Sequence, residues 1–186
     1  VVYTDENNPN PTDIIFKRFN GTNLVGMTGS ATGDIVNSGI PNAFTSPRAS
    51  IALDSSDNPH VLWANVSSDF SAETMMYRYW NGSAWVGIGG SDDADGLAQA
   101  SSFANLDGHL ALHPVTDQPY ITYGFGGVIY MAFYNGTTWT GLGNSFTTGI
   151  SGSNAFLPAI TLSATGIPYI AYAEGAQIYV KYWNGS

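Results

Sequence analysis

The side chains in this sequence that could do chemistry are scattered, and one cluster stands out among them. Asp92, Asp93 and Asp95 put three carboxylates within four positions, closed by Gly96. Hard cations such as calcium take oxygen ligands of this kind, so the segment is a candidate calcium site. Its spacing is not that of an EF-hand loop, and a solvated acidic loop is the competing reading. Asp5, Glu6 and Asp13 are a thinner version of the same idea. Glu6, Glu73 and Glu174 lie in or beside strand connections, yet nothing marks two of them as the carboxylate pair that glycoside hydrolysis uses. His60, His109 and His113 lack the spacing of a metal site with other ligands. No Ser–His–Asp order and no phosphate-cradling glycine motif appears. The sequence assigns no catalytic residue and no cofactor other than the calcium candidate.

Charge and composition narrow the partners. Five Lys and Arg stand against 14 Asp and Glu, a net charge of −9. Nucleic acid and anionic membrane surfaces call for clustered cations, so neither is an expected partner. No apolar run approaches the roughly 20 residues that span a bilayer, and no basic, then apolar, leader opens the sequence. Cysteine is absent, which leaves redox compartment unmarked. Few lysines with abundant Asn, Ser, Thr and Gly fit an extracellular or cell-surface setting. Only 10% of residues are charged, while there are 22 Gly, 11 Tyr and 5 Trp. That mixture suits short strands and turns rather than amphipathic helices.

The elements that must position these residues repeat. An aromatic followed by Asn-Gly occurs at Phe19-Asn20-Gly21, Trp80-Asn81-Gly82, Tyr134-Asn135-Gly136 and Trp183-Asn184-Gly185, with the asparagines 61, 54 and 49 positions apart. Each follows a strand-like run: IIFKRF, MMYRYW, IYMAFY or IYVKYW. Three positions before each Asn stand Lys17, Arg78, Ala132 and Lys181, so most of the few cations share one repeat position. A second run follows the first three turns, beginning at Leu24, Trp85 and Trp139. Asn-Gly between two such runs predicts a tight hairpin, because both residues tolerate the positive φ that such a turn needs.

Upstream lies a second hairpin. The segments from Ser50, Leu110 and Ala159 each pass from an alternating strand through a polar turn to Pro59, Pro119 or Pro168 and an aromatic strand. Proline at a strand's first residue costs no ladder hydrogen bond. Each unit thus predicts four strands, A to D, with loops such as 91–104 and 144–157 leading to the next unit. Strand C is apolar on both faces, as sheets covered on both sides require. The predicted fold is therefore all-β: four-stranded antiparallel blades of a β-propeller, in preference to a single two-layer sandwich. Two complete blades (50–90 and 110–143) are flanked by partial ones (1–29 and 158–186). The whole is expected to belong to a larger ring, or to one completed by neighbouring copies.

The repeat unit resembles those of bacterial secreted propellers of the sialidase-like, Asp-box type. Asn81-Gly82-Ser83-Ala84-Trp85 and Asn135-Gly136-Thr137-Thr138-Trp139 are similar to an Asp-box hairpin with Asn in place of the family's Asp; the first copy has Leu24 in place of Trp. Gly126-Gly127, Tyr134 and Trp139 resemble a kelch blade, and the strand C pattern resembles fucose-binding propeller lectins, some of which build rings from several short chains. The resemblance implies six to eight blades but transmits no function, because propellers host many. Sialidase activity would need an arginine cluster; Arg78 and Arg18 occupy or adjoin the repeat position, and Arg48 alone is placed differently.

The expected function is a non-enzymatic extracellular module binding a glycan or protein ligand. The alternatives are a fragment of a sialidase-like glycoside hydrolase and a structural subunit that self-assembles through open blade edges. Asn20, Asn65, Asn81, Asn135 and Asn184 each open an N-x-S/T sequon, a glycosylation acceptor in a eukaryotic secretory pathway.

Overall fold

The computed structural model describes residues 1–4, 13–40, 44–66, 72–100 and 106–185, and among these every regular element is a β-strand. The first sheet holds β1 (Val2–Thr4) and β2 (Ile14–Phe16). The small hairpin of β3 (Arg18–Phe19) and β4 (Leu24–Val25) follows, and β5 (Asp34–Ile35) then returns to pair with β2. The second sheet contains β6 (Phe44–Leu53), β7 (Pro59–Val66), β8 (Glu73–Trp80), β9 (Trp85–Val86) and β10 (Ala98–Ala100), and the third β11 (Gly108–Leu112), β12 (Pro119–Phe125), β13 (Val128–Tyr134) and β14 (Trp139–Thr140). The fourth is β15 (Ala155–Leu162), β16 (Pro168–Glu174) and β17 (Gln177–Tyr182). All pairings are antiparallel between chain neighbours, apart from the returning β5 and β10.

The sheets pack face to face in chain order, and the two-residue period of a strand makes this work. In β7, Val61 and Trp63 point to the first sheet, where they meet Ile14, Phe16, Val36 and Ile40. Leu62 and Ala64, between and beyond them, point to the third sheet and meet Leu110, Ile121, Tyr123 and Ala132. The third sheet repeats the device: Tyr120, Ile129 and Met131 turn to the fourth, against Ile160, Ile170 and Tyr172. The row is open, because the outward faces of its first and last sheets expose Val1, Tyr3, Ile178, Val180 and Tyr182.

Two expectations change in detail. The fourth strand of the first three units is not continuous. β9 covers only the C-terminal end of β8 (Tyr79↔Val86, Trp80↔Trp85), and the N-terminal half is paired by β10 (Met75↔Ala98, Glu73↔Ala100), inside the segment read as a loop. The same return brings Ile35 beside Ile15, so the first sheet extends past residue 29, and it brings the Ile150 amide to the Ile129 carbonyl in the third. A two-residue strand leaves half of an eight-residue neighbour unpaired, and buried backbone groups must be satisfied.

The Asn-Gly turns also close differently. Positive φ is borne by the glycines alone, at +99°, +96°, +97° and +97° for Gly21, Gly82, Gly136 and Gly185. The asparagine instead caps the turn. Asn81 Oδ1 accepts the amides of Ser83 (3.0 Å) and Ala84 (2.9 Å), and the Asn81 amide donates to the Ala84 carbonyl. Asn20 and Asn135 repeat this arrangement with Thr22 and Asn23 and with Thr137 and Thr138. Asparagine carries the side-chain acceptor an Asx turn needs. Asn135→Ala should therefore lower unfolding free energy by about 1–2 kcal/mol, while Asn135→Asp, which keeps an acceptor, should hold most of it. Gly136→Ala should cost about 1–2 kcal/mol through backbone strain alone, since an added Cβ meets nothing within 4 Å. Urea unfolding of the three variants checks all three values.

Candidate functional site

Two solvent-open clefts lie between successive sheets, at equivalent places in the repeat. The first, of about 570 Å³, runs between sheets one and two and is lined by Thr28, Asp34, Ser38, Arg78, Trp80 and Trp85, with Ser30 and Ser83 at its margin. The second, of about 270 Å³, runs between sheets three and four and is lined by Leu142, Asn144, Ser145, Lys181, Tyr182 and Trp183. Arg78 and Lys181 are the repeat-position cations, and Trp80 and Trp183 are the aromatics that precede the Asn-Gly turns.

In both clefts the cation reaches back to the preceding sheet. Arg78 donates through Nη1 to the carbonyls of Val36 (2.9 Å) and Ser38 (2.8 Å), and through Nε to Asp92 (2.9 Å). Lys181 Nζ donates to the Ile150 carbonyl, which occupies the place of Val36. Carbonyl oxygens at the returning segment carry partial negative charge, so a cation at this position fastens one sheet to the next. Asp34, buried, accepts the Met27 amide at 2.6 Å and the Thr28 hydroxyl at 2.7 Å. Trp80 and Trp85 stand edge to face, 5.9 Å between centroids, and Trp85 also meets Phe16 across the sheets at 5.4 Å. The Trp85 Nε1–H is buried without a protein acceptor, whereas that of its repeat equivalent Trp139 donates to the Ile88 carbonyl at 2.9 Å.

Between sheets two and three the cation position is Ala132, fully buried. There Tyr77, Tyr134 and Trp139 pile together, with Trp139 5.5 Å from Tyr77 and 5.7 Å from Tyr134. His60 joins them from β7. Its Nδ1 lies 2.5 Å from the Tyr77 hydroxyl and its Nε2 3.8 Å from Asp54 Oδ2.

The structure places the other candidates as follows. The acidic cluster does not converge: Asp92 turns inward to Arg78 and to the Gly87 amide, while Asp93 and Asp95 are exposed, and among the described residues no three metal-ligating side chains gather. Asp92 is thus one half of an ion pair, and Asp93 and Asp95 stand on a solvated loop. Asp5 and Glu6 lie outside the described residues. Arg48 pairs with Asp107 at 3.0 Å, joining sheets two and three at the edge opposite the Asn-Gly turns. Glu73 is buried and accepts the Leu106 amide at 2.8 Å, and Glu174 is bonded to the Gly152 amide, so neither pairs with the other. Asn20, Asn81, Asn135 and Asn184 are exposed at turns, but Asn65 lies within β7 with its Oδ1 buried.

Sequence reasoning passed over two serines. Ser91 and Ser145, both buried, donate to the carbonyls of Tyr77 and Met131 and accept the amides of Ile88 and Leu142. Each ends a Gly-x-Gly-x-Ser stretch, Gly87 to Ser91 and Gly141 to Ser145, which was the available signal.

No family model and no curated protein matches this chain. Among solved structures it is similar to a fucose lectin from Kordia zhangzhouensis in complex with methyl-fucoside, at 18% identity and a TM-score of 0.45, over 74% of this chain and 93% of that one.

Burial pushes the His60 imidazole below its ordinary value of 6.5, and this outweighs the attraction of Asp54 and, more weakly, Asp117. The folded protein thus holds the ring neutral, and the unfolded chain takes up its proton more readily. Stability from this group is complete above about pH 6.5 and falls as pH drops below it. Urea midpoints measured from pH 7.5 to 5 should decline for the native sequence and decline less for His60→Gln.

Proposed function

We propose that the four sheets are consecutive blades of a β-propeller, and that the module binds carbohydrate in the clefts between blades without transforming it. The open cleft that sets Trp80 and Trp85 beside the Arg78 guanidinium carries this reading. The surrounding groups suit a neutral sugar. Indole rings cover the apolar face of a pyranose, and the hydroxyls of Thr28, Ser30, Ser38 and Ser83 with the Arg78 fork can bond its hydroxyls. The recurrence of a cation and an indole at Lys181 and Trp183 supports a second site of the same kind.

The Asn-capped turns support kinship with Asp-box propellers, and the composition supports an extracellular or cell-surface setting.

A glycan array followed by titration calorimetry tests the proposal. The chain should bind one class of neutral glycan. Arg78→Met and Lys181→Met should each weaken one of two sites by about tenfold or more, the double variant should bind neither, and chromogenic glycosides should remain intact. Circular dichroism confirms that the variants fold. Absence of binding across the array, or binding indifferent to both substitutions, sinks the proposal.

A further inference from the structure

The four sheets present one repeat position in two states. Ile14 and Phe16 in the first sheet, Met75 and Tyr77 in the second, and Ile129 and Met131 in the third are equivalent residues of the same strand. Each is at most 3% exposed because the following sheet covers it. Their equivalents in the fourth sheet, Ile178 and Val180, are 74% and 66% exposed. Tyr169 and Tyr182, paired across β16 and β17 on the same face, are also exposed. The converse holds at the other end of the row. Val61 and Trp63, Ile121 and Tyr123, and Ile170 and Tyr172 are covered by the preceding sheet, whereas their equivalents Val1 and Tyr3 are 65% and 36% exposed, with Ile15 buried between its neighbours on that face. The equivalence is fixed by pairing: Tyr3 sits opposite Ile15 as Trp63 sits opposite Met76.

The two open faces are therefore the two halves of the contact that the molecule makes three times internally. We propose that the outward face of the fourth sheet docks on the outward face of the first sheet of a second copy, head to tail, reproducing the internal sheet-to-sheet packing. A second copy is the favoured occupant because the chain itself carries the complementary half. An apolar patch of this kind is otherwise a liability in water, and unlike faces meeting makes a heterologous contact that extends or closes a ring. The inference stands whether or not the clefts bind sugar.

Sedimentation velocity over a wide concentration range tests it. The native chain should run at multiples of 19.7 kDa. Val180→Asp and Tyr3→Asp should each sediment at the single-chain mass, since a carboxylate buried without a partner weakens such a contact about tenfold or more. An equimolar mixture of the two should give a dimer and nothing larger, because each variant keeps the face the other has lost. Ile178→Lys, at the most exposed of these positions, repeats the first variant if Val180→Asp misfolds by circular dichroism. A native chain that stays at the single-chain mass at every concentration overturns the proposal, and further sheets of a longer polypeptide or another protein would then be the cover. Assembly of Tyr3→Asp as strongly as the native chain also overturns it, since fourth-sheet faces would then be meeting each other.

Discussion

Every inner sheet of this protein buries both of its faces, and that constraint shapes most of what the sequence contains. A strand covered on one side can alternate apolar and polar residues. A strand covered on both sides must be apolar at every position or satisfy any polar group locally. Strand β7 does both. Val61 and Trp63 serve one neighbour and Leu62 and Ala64 the other, while His60, where the third and fourth units have tyrosine, is held by the Tyr77 hydroxyl and faces Asp54. The low charge content follows, because an ion placed in such a sheet would face desolvation on either side.

The same constraint explains how the edges are finished. A buried strand must find a backbone partner along its whole length, and the hairpin after each Asn-Gly turn is too short to provide one. The chain returns to complete the pairing: β5 beside β2, β10 beside β8, and the Ile150 amide beside Ile129. The buried hydroxyls of Ser91 and Ser145 bridge the gap between the two pieces of each divided strand. Where the first unit has no such serine, Asp34 performs a related task by accepting the Met27 amide and the Thr28 hydroxyl.

The all-β class, the hairpins and their four-fold recurrence were legible from the spacing of Asn20, Asn81, Asn135 and Asn184, because a turn that needs Gly at positive φ and a side-chain acceptor leaves a fixed local signature. The divided fourth strand was not legible. Its second piece is three residues or fewer and follows loops of different length, so no periodicity builds up. The clefts were half legible. Arg78 and Lys181 showed as a repeat position, but that they reach the carbonyls of Val36 and Ile150 depends on contact between units, which no single repeat records. Asp92 misled for the same reason. Its neighbours in sequence are acidic, and its partner in space is an arginine 14 positions away.

One repeat position distinguishes junctions that are otherwise built alike. With Ala132 there, Tyr77, Tyr134 and Trp139 pack on one another, and the Trp139 N–H finds the Ile88 carbonyl. With Arg78 there, a long side chain crosses to the preceding sheet beside an open cleft, while Trp85 keeps the equivalent contacts to Phe16 and Trp80 and its buried N–H goes without an acceptor. Lys181 stands beside a smaller cleft, lined by Leu142 and Trp183. Cation and cleft thus occur together at this position in two junctions, while the third has Ala132 there and is packed as core, its own cation, Arg48, lying at the opposite edge. Divergence at this position changes the character of a junction without disturbing the sheets on either side, because their remaining apolar positions still meet in the same register.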